Sequence, residues 1–120
     1  MFALTESHSF LIYNRPTDMR KSFDALSGLV RAAMNRNPLS GEVFIFVNKS
    51  RNLMKLLHFQ QGGFVLYYKR LEAGTFEINF YNKLLSEIEI SYTELNMIIS
   101  GISVQNIKKR KRFCKTKNMF

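Results

Sequence analysis

Five consecutive cations near the carboxyl terminus form the strongest chemical signal in the sequence. They are Lys108, Lys109, Arg110, Lys111 and Arg112. Residues 108–120 hold seven of the 18 lysines and arginines and no Asp or Glu. Such a run is typical of an arm that lies along nucleic-acid phosphates and releases their counterions. The alternative is a solvated terminus that only keeps the protein soluble. We favour the nucleic-acid interpretation.

A second set of cations alternates with aromatic residues. The candidates for a second phosphate-binding patch are Arg20, Lys21, Lys69 and Arg70. Lys49, Arg51 and Lys55 lie in or before a predicted strand, and Tyr67 and Tyr68 end the next one. On an open sheet, exposed aromatic rings stack on bases while lysine and arginine hold phosphates. The alternation along the strand also fits a core location for the two tyrosines, and we favour that location.

The carboxylates do not suggest a metal-dependent nuclease. Such an enzyme needs several carboxylates that converge on Mg²⁺, and the predicted strands 43–47, 53–59 and 64–68 contain no Asp or Glu. Asp18 and Asp24 are the only two aspartates and lie six residues apart. We expect Asp24 to be the i+4 ion-pair partner of Arg20 on a helix. The sequence therefore predicts neither a metal site nor an enzyme.

The remaining reactive side chains are also interpreted as structural. His58 lies among apolar residues of a predicted strand, so we expect a packed or hydrogen-bonded histidine. Cys114 is the only cysteine and has no base beside it, although neighbouring cations favour its thiolate. The cysteine count excludes an internal disulfide and fits a reducing cytoplasm. Gly62, Gly63 and Gly74 match no phosphate-binding loop, so no cofactor is predicted.

The composition predicts one soluble domain with a basic extension. The chain has 120 residues, of which 46% are hydrophobic and 13% aromatic, enough to close one core. Its formal net charge of +9 favours a polyanionic partner. No apolar run is long enough to span a membrane, and the first residues lack an export signal. We predict a domain over 1–107, a flexible tail over 108–120 and a cytoplasmic location.

The hydrophobic pattern predicts an α+β fold. We expect a short strand over 10–13, a helix that Thr17 or Asp18 caps, and a buried central strand over 43–47. Two further strands flank the turn glycines Gly62 and Gly63, and a weaker candidate lies over 75–81. The predicted fold is an antiparallel sheet of about four strands, joined as a meander, with the N-terminal helix on one face.

The last part of the predicted domain contains one open assignment and one helix. Residues 82–89 fit a helical turn as well as a strand. Ser91 and Glu94 have the spacing of a capping box, and Gly101 supplies a stop. We therefore predict a short C-terminal helix before the basic tail.

Several strings of residues resemble a known family. They are Thr17-Asp18-Met19-Arg20-Lys21-Ser22-Phe23-Asp24, Asn37-Pro38-Leu39-Ser40-Gly41-Glu42-Val43-Phe44-Ile45-Phe46, Lys55-Leu56-Leu57, Gly63-Phe64 and Leu66-Tyr67-Tyr68-Lys69-Arg70-Leu71-Glu72. In this order they resemble TnpB, the second-reading-frame accessory protein of bacterial insertion sequences of the sixty-six type. The resemblance implies a product encoded beside the transposase that supports transposition without cutting DNA. It assigns no role to residues 78–90.

Two functional hypotheses follow from the residues and the resemblance. The first is a non-catalytic transposition accessory protein that binds DNA through its basic residues and assists the transposase. The second is a protein-interaction adaptor that docks on the transposase without binding DNA directly. The bound DNA sequence, the oligomeric state and the spatial order of the strands stay open.

Overall fold

The computed structural model describes residues 4–78 and 84–101. Within these residues there are five strands and two α-helices: β1 (Phe10–Tyr13), α1 (Phe23–Ala32), β2 (Val43–Val47), β3 (Leu53–Gln60), β4 (Gly63–Arg70), β5 (Glu87–Ile90) and α2 (Tyr92–Ser100). The predicted tail over 108–120, and Cys114 within it, lie outside the described residues.

The strands form one mixed sheet in the order β4-β3-β2-β1-β5. β1 pairs with β2 in parallel, with Phe10 opposite Val43, and the other three pairings are antiparallel. The α+β class is confirmed, and β2, β3 and β4 form the predicted meander. The sequence predicted about four antiparallel strands, whereas α1 connects two parallel neighbours as a βαβ unit. A parallel pair needs a long crossover, and residues 14–42 supply it.

β2 lies at the centre of the sheet, as its continuous apolar run predicts. All five of its residues are buried. Val43, Ile45 and Val47 face one side of the sheet, and Phe44 and Phe46 face the other. A strand covered on both faces has no solvent-facing positions, which explains the absence of polar alternation.

The two faces of the sheet are covered by different elements. One face is covered by α1 and the residues just after it. There Leu26, Val30 and Met34 pack on the sheet residues Leu11, Phe44, Phe46 and Leu57. On the other face, Leu95 and Ile98 of α2 join Leu71, Phe76 and Ile78 of the segment after β4. The sheet is therefore the middle layer of three. Because both faces of the sheet are covered, the loops at the strand ends are the surface segments where binding residues are most often found.

The two helices differ in how well local signals locate their starts. α2 begins with the predicted capping box: Glu94 N donates to Ser91 Oγ over 3.0 Å, and Ser91 N donates to Glu94 Oε1 over 2.8 Å. Gly101 ends it with a φ of 83°. α1 has Ser22 at its N-cap, so the expected cap at Thr17 or Asp18 is wrong. Thr17 N instead donates to the Val47 carbonyl, and Asp18 accepts from Arg20.

The two segments with weak strand signals, 75–81 and 82–89, differ in structure within the described residues. Of the candidate strand over 75–81, residues 75–78 form no strand, and the rest lies outside the described residues. The ambiguous segment over 82–89 contributes to strand β5, which pairs with β1 through Tyr13 opposite Glu87. The sheet edge beside β1 is therefore occupied by β5.

His58 is packed inside the fold, which confirms its structural interpretation. It is 2% exposed, and its Nε2 lies 3.1 Å from the carbonyl oxygen of Gly41. Since a carbonyl can only accept, Nε2 carries the proton, and the buried Nδ1 has no hydrogen-bond partner among the described residues. The ring centroid of His8 lies 4.8 Å away. Burial, together with His8, lowers the pKa of His58 below its ordinary value of 6.5.

We expect this depressed pKa to reduce stability in mild acid. Below about pH 6.5 the unfolded chain binds a proton on His58 that the folded chain resists, so the free energy of unfolding falls as the pH drops. In His58→Gln, whose amide can still donate to Gly41, this fall should be shallower between about pH 7 and pH 5. Urea denaturation at each pH measures it. An identical pH slope in the two proteins would contradict the assignment.

Candidate nucleic-acid interface

An open cleft of about 530 Å³ lies where the chain leaves the parallel strands β1 and β2. Parallel neighbours end at the same edge of a sheet, so their following loops meet there. Thr17 N donates to the carbonyl of Val47 over 2.8 Å and joins the two loops. The lining comprises Pro16, Thr17, Asp18, Met19, Arg20, Asn48, Lys49, Ser50, Leu53 and Tyr68. The cleft therefore combines apolar, aromatic and charged side chains.

A tight turn shapes the β2 side of the cleft. Asn48 Oδ1 accepts from the backbone N–H groups of Asn52 and Leu53, each over 3.0 Å. Its Nδ2 donates to Asn52 Oδ1 over 2.8 Å. Within this turn Arg51 has a left-handed φ of 58°, and its guanidinium donates to the carbonyl of Ile78. Asn48 and Arg51 are thus engaged in holding the loop, and Lys49 and Ser50 are left exposed at its tip.

Asp18 and Arg20 form an ion pair on the opposite wall. Arg20 Nη2 donates to Asp18 Oδ2 over 2.6 Å, and Arg20 N donates to Asp18 Oδ1 over 2.9 Å. These hydrogen bonds from Arg20 lower the pKa of Asp18 from 3.8 to about 2. The expected Arg20–Asp24 pair is wrong because α1 begins only at Phe23, so Arg20 is not on the helix. The cleft wall carries a charge-neutral pair here.

Lys55 lies on β3, and its side chain extends to the loop before α1, which forms one wall of the cleft. It is 6% exposed, and its Nζ donates to the carbonyls of Met19 and Lys21 over 2.8 and 2.7 Å. The same ammonium lies 4.7 Å from the ring centroid of Tyr68. Two carbonyls and an aromatic face therefore take the place of the water that a buried cation loses. This lysine connects the loop before α1 to β3 and to the Tyr68 ring.

Tyr68 is the exposed aromatic group of the cleft lining, and Lys49 is an exposed cation there. Tyr68 is 57% exposed, so the expectation that it belongs to the core is wrong, although Phe64 and Leu66 on the same strand face do pack on the core. Lys49 has no carboxylate within ion-pair distance among the described residues. An aromatic ring and an unpaired cation in one cleft can hold a planar, negatively charged ligand.

The predicted patch of Arg20, Lys21, Lys69 and Arg70 is divided by the sheet. Arg20 lines the cleft, and Arg70 lies opposite Leu53, another lining residue, where its Nε donates to Glu72 over 2.8 Å. The Lys21 carbonyl accepts from Lys55. Lys69 faces the other side, opposite Met54 and beside α2. The first predicted group, Lys108 to Arg112, lies outside the described residues.

Sequence reasoning missed most of this cleft for one reason. The sequence predicts an antiparallel sheet and leaves the spatial order of its strands open, so it does not bring the loops after β1 and β2 to one edge. The sequence pattern assigns Thr17 to a helix cap and groups Lys49 with Tyr67 and Tyr68, and it gives Ser50 no role. Their common location follows only from the parallel pairing of β1 with β2.

In residues 4–78 and 84–101 there is no group of three or more His, Cys, Asp or Glu side chains that could hold a metal ion. In the same ranges neither helix has the length and apolar character needed to cross a membrane.

The fold and site define a small basic α+β protein with a cleft that presents cations and an exposed tyrosine. The model of the family described as "IS66 Orf2 like protein" matches residues 8–109. The chain therefore belongs to this family of insertion-sequence proteins, the second-reading-frame family that its sequence strings resemble.

Two relatives and the solved structures complete the comparison. The chain is similar to the uncharacterized protein y4hO of Sinorhizobium fredii, with 35% identity over 86 residues that cover 72% of this chain and 73% of that protein. It is also similar to the uncharacterized protein y4jC of the same organism, with 24% identity over 100 residues that cover 83% and 84%. No solved structure matches the chain significantly.

Replacing the buried lysine should loosen the cleft. In Lys55→Met the carbonyls of Met19 and Lys21 lose a charged donor, and we expect a loss of about 1–3 kcal/mol in the free energy of unfolding. Lys69→Met is the matched control, because Lys69 is exposed on the next strand and should change stability by about 0.5 kcal/mol or less. Urea denaturation measures both. Equal stability of the two variants would contradict the role given to Lys55.

Proposed function

We propose that this protein is a non-catalytic accessory protein of insertion-sequence transposition that binds DNA and assists the transposase encoded by the same element. The observation that carries the proposal is the cleft at the ends of β1 and β2, where Lys49, Arg20 and the exposed Tyr68 come together. Membership of the IS66 Orf2-like family places the protein with insertion sequences. In that context the basic charge of the protein supports DNA as the partner.

The charge balance supports the proposal at the level of the whole chain. The sequence holds 18 lysines and arginines against nine acidic residues. Among the described residues, three arginines are paired with carboxylates: Arg20 with Asp18, Arg70 with Glu72, and Arg36 with both Glu42 and Glu87. The run from Lys108 to Arg112 has no acidic neighbour in sequence. We therefore assign most of the nonspecific affinity to that run and a smaller share to the cleft.

The contribution of the basic run can be measured from the salt dependence of DNA binding. Replacing Lys108 to Arg112 with five glutamines keeps the chain length and removes five charges. If each meets a duplex phosphate, the slope of log binding constant against log salt should become less negative by about 4.5. Fluorescence anisotropy with duplex DNA over a salt series gives the slope. Truncation after Ile107 also removes Lys115 and Lys117, so it should change the slope at least as much. Unchanged affinity and slope in both variants would contradict the assignment.

A second candidate function is an adaptor that docks on the transposase without binding DNA directly. One observation favours it: an apolar cleft of about 310 Å³ lies between β4 and α2, on the face opposite the cation-lined cleft. Leu56, Tyr67, Leu95 and Ile99 are among its lining residues. A surface of this kind suits an apolar segment of another protein.

Copurification with the transposase separates the two candidates. An adaptor should retain the transposase after nuclease treatment and lose it in Ile99→Asp, while Arg31→Asp, an exposed change on α1, should leave it bound. A DNA-mediated association should instead disappear with nuclease in every variant. Nuclease-resistant association without measurable DNA binding by the purified protein would contradict the first function and support the adaptor.

A further inference from the structure

We propose that the cleft between the β1–α1 and β2–β3 loops binds a single unpaired nucleotide of single-stranded DNA, with its base stacked on Tyr68 and its phosphate beside Lys49. This inference rests on the proposed DNA-binding function and specifies the form of DNA that the site takes. It follows from the shape of the cleft, the exposed aromatic ring and the distribution of charge.

The shape of the cleft suits one nucleotide better than a duplex. Its volume of about 530 Å³ falls within the range of about 300–1,000 Å³ typical of small-molecule sites. Duplex DNA is read by a helix or a two-stranded ribbon that enters a groove, which requires a protruding element. Here the cations and the tyrosine surround a concavity formed by loops. A base that has left the stack can enter such a concavity.

The lining divides into a surface for a base and a surface for a phosphate. Pro16, Met19, Leu53 and Tyr68 supply apolar and aromatic area. Stacking on an aromatic ring tolerates any base, because every base has a π face. The Lys55 ammonium, 4.7 Å from the ring centroid, and the two carbonyls it binds tie Tyr68 to the loop before α1. The ring is therefore held in place before a base arrives, which reduces the entropy cost of binding.

The charges of the cleft favour a nucleotide over a bare anion. Asp18 lies in the wall and stays ionised because of its bonds to Arg20, so the Asp18–Arg20 pair adds no net positive charge. Lys49 is exposed and unpaired among the described residues, and the Ser50 hydroxyl lies next to it in sequence at the exposed tip of the turn. Lys49 is thus the unpaired cation of the cleft lining among the described residues, and one such cation with a hydroxyl next to it in sequence matches one phosphodiester group. The affinity must then come largely from stacking.

Anisotropy with a single-stranded oligonucleotide and with the duplex of the same sequence tests this assignment. Tyr68→Leu should weaken single-strand binding roughly 5- to 100-fold and leave duplex binding within about twofold. Tyr68→Phe is the matched control: it keeps the ring and should retain single-strand affinity. Thermal unfolding of each variant verifies that the fold is intact.

A second pair of variants tests the phosphate contact without altering the ring. Lys49→Gln and Arg31→Gln each remove one positive charge, but Arg31 lies on α1 and does not line the cleft. Lys49→Gln should make the single-strand salt slope less negative by about 0.7, and Arg31→Gln should leave it unchanged.

The possible outcomes distinguish failure of this inference from failure of the proposed function. If the protein binds neither form of DNA, the proposed function is wrong. If it binds both equally and Tyr68→Leu changes neither, DNA binding stands and the nucleotide cleft is wrong. If single-stranded RNA of the same sequence binds more than about tenfold tighter through Tyr68, the cleft belongs to RNA and the assignment to DNA is overturned.

Discussion

A single buried ammonium group holds the candidate site together. Lys55 lies on β3 in the body of the sheet, yet its Nζ binds two carbonyls of the loop before α1 and faces the ring of Tyr68 on β4. Three separate parts of the chain thus meet at one charge. Because a buried cation is costly without partners, the loop and the ring have to stay where they satisfy it. The shape of the cleft depends on this constraint.

The parallel pairing of β1 with β2 supplies the second condition. It brings the loops after both strands to one sheet edge, and the hydrogen bond from Thr17 N to the Val47 carbonyl fixes their spacing. Three of the sequence strings that resemble the family contain residues of this site. One contains Asp18 and Arg20, another contains Lys55, and a third contains Tyr68. These residues are far apart in sequence and share one site. They are connected by the geometry of the fold and not by proximity along the chain.

The sequence predicted features that depend on neighbouring residues and missed those that depend on distant ones. The capping box of α2 and the buried strand β2 were predictable because their signals lie within a few residues. The ion pair of Arg20 was assigned to Asp24 because the start of α1 was placed too early. The exposure of Tyr68 was missed because alternation along β4 identifies a face of the strand but not whether another element covers it. β4 is an edge strand, and its end lies beside an open cleft.

Backbone amide chemical shifts on addition of a short single-stranded DNA test the central claim most directly. The account predicts that the perturbed residues within the described ranges cluster at 17–20, 48–50 and Tyr68, on both sides of the cleft. Perturbation confined to the exposed face of α1 or to the apolar cleft beside α2 would contradict it, and so would unchanged shifts at saturating oligonucleotide.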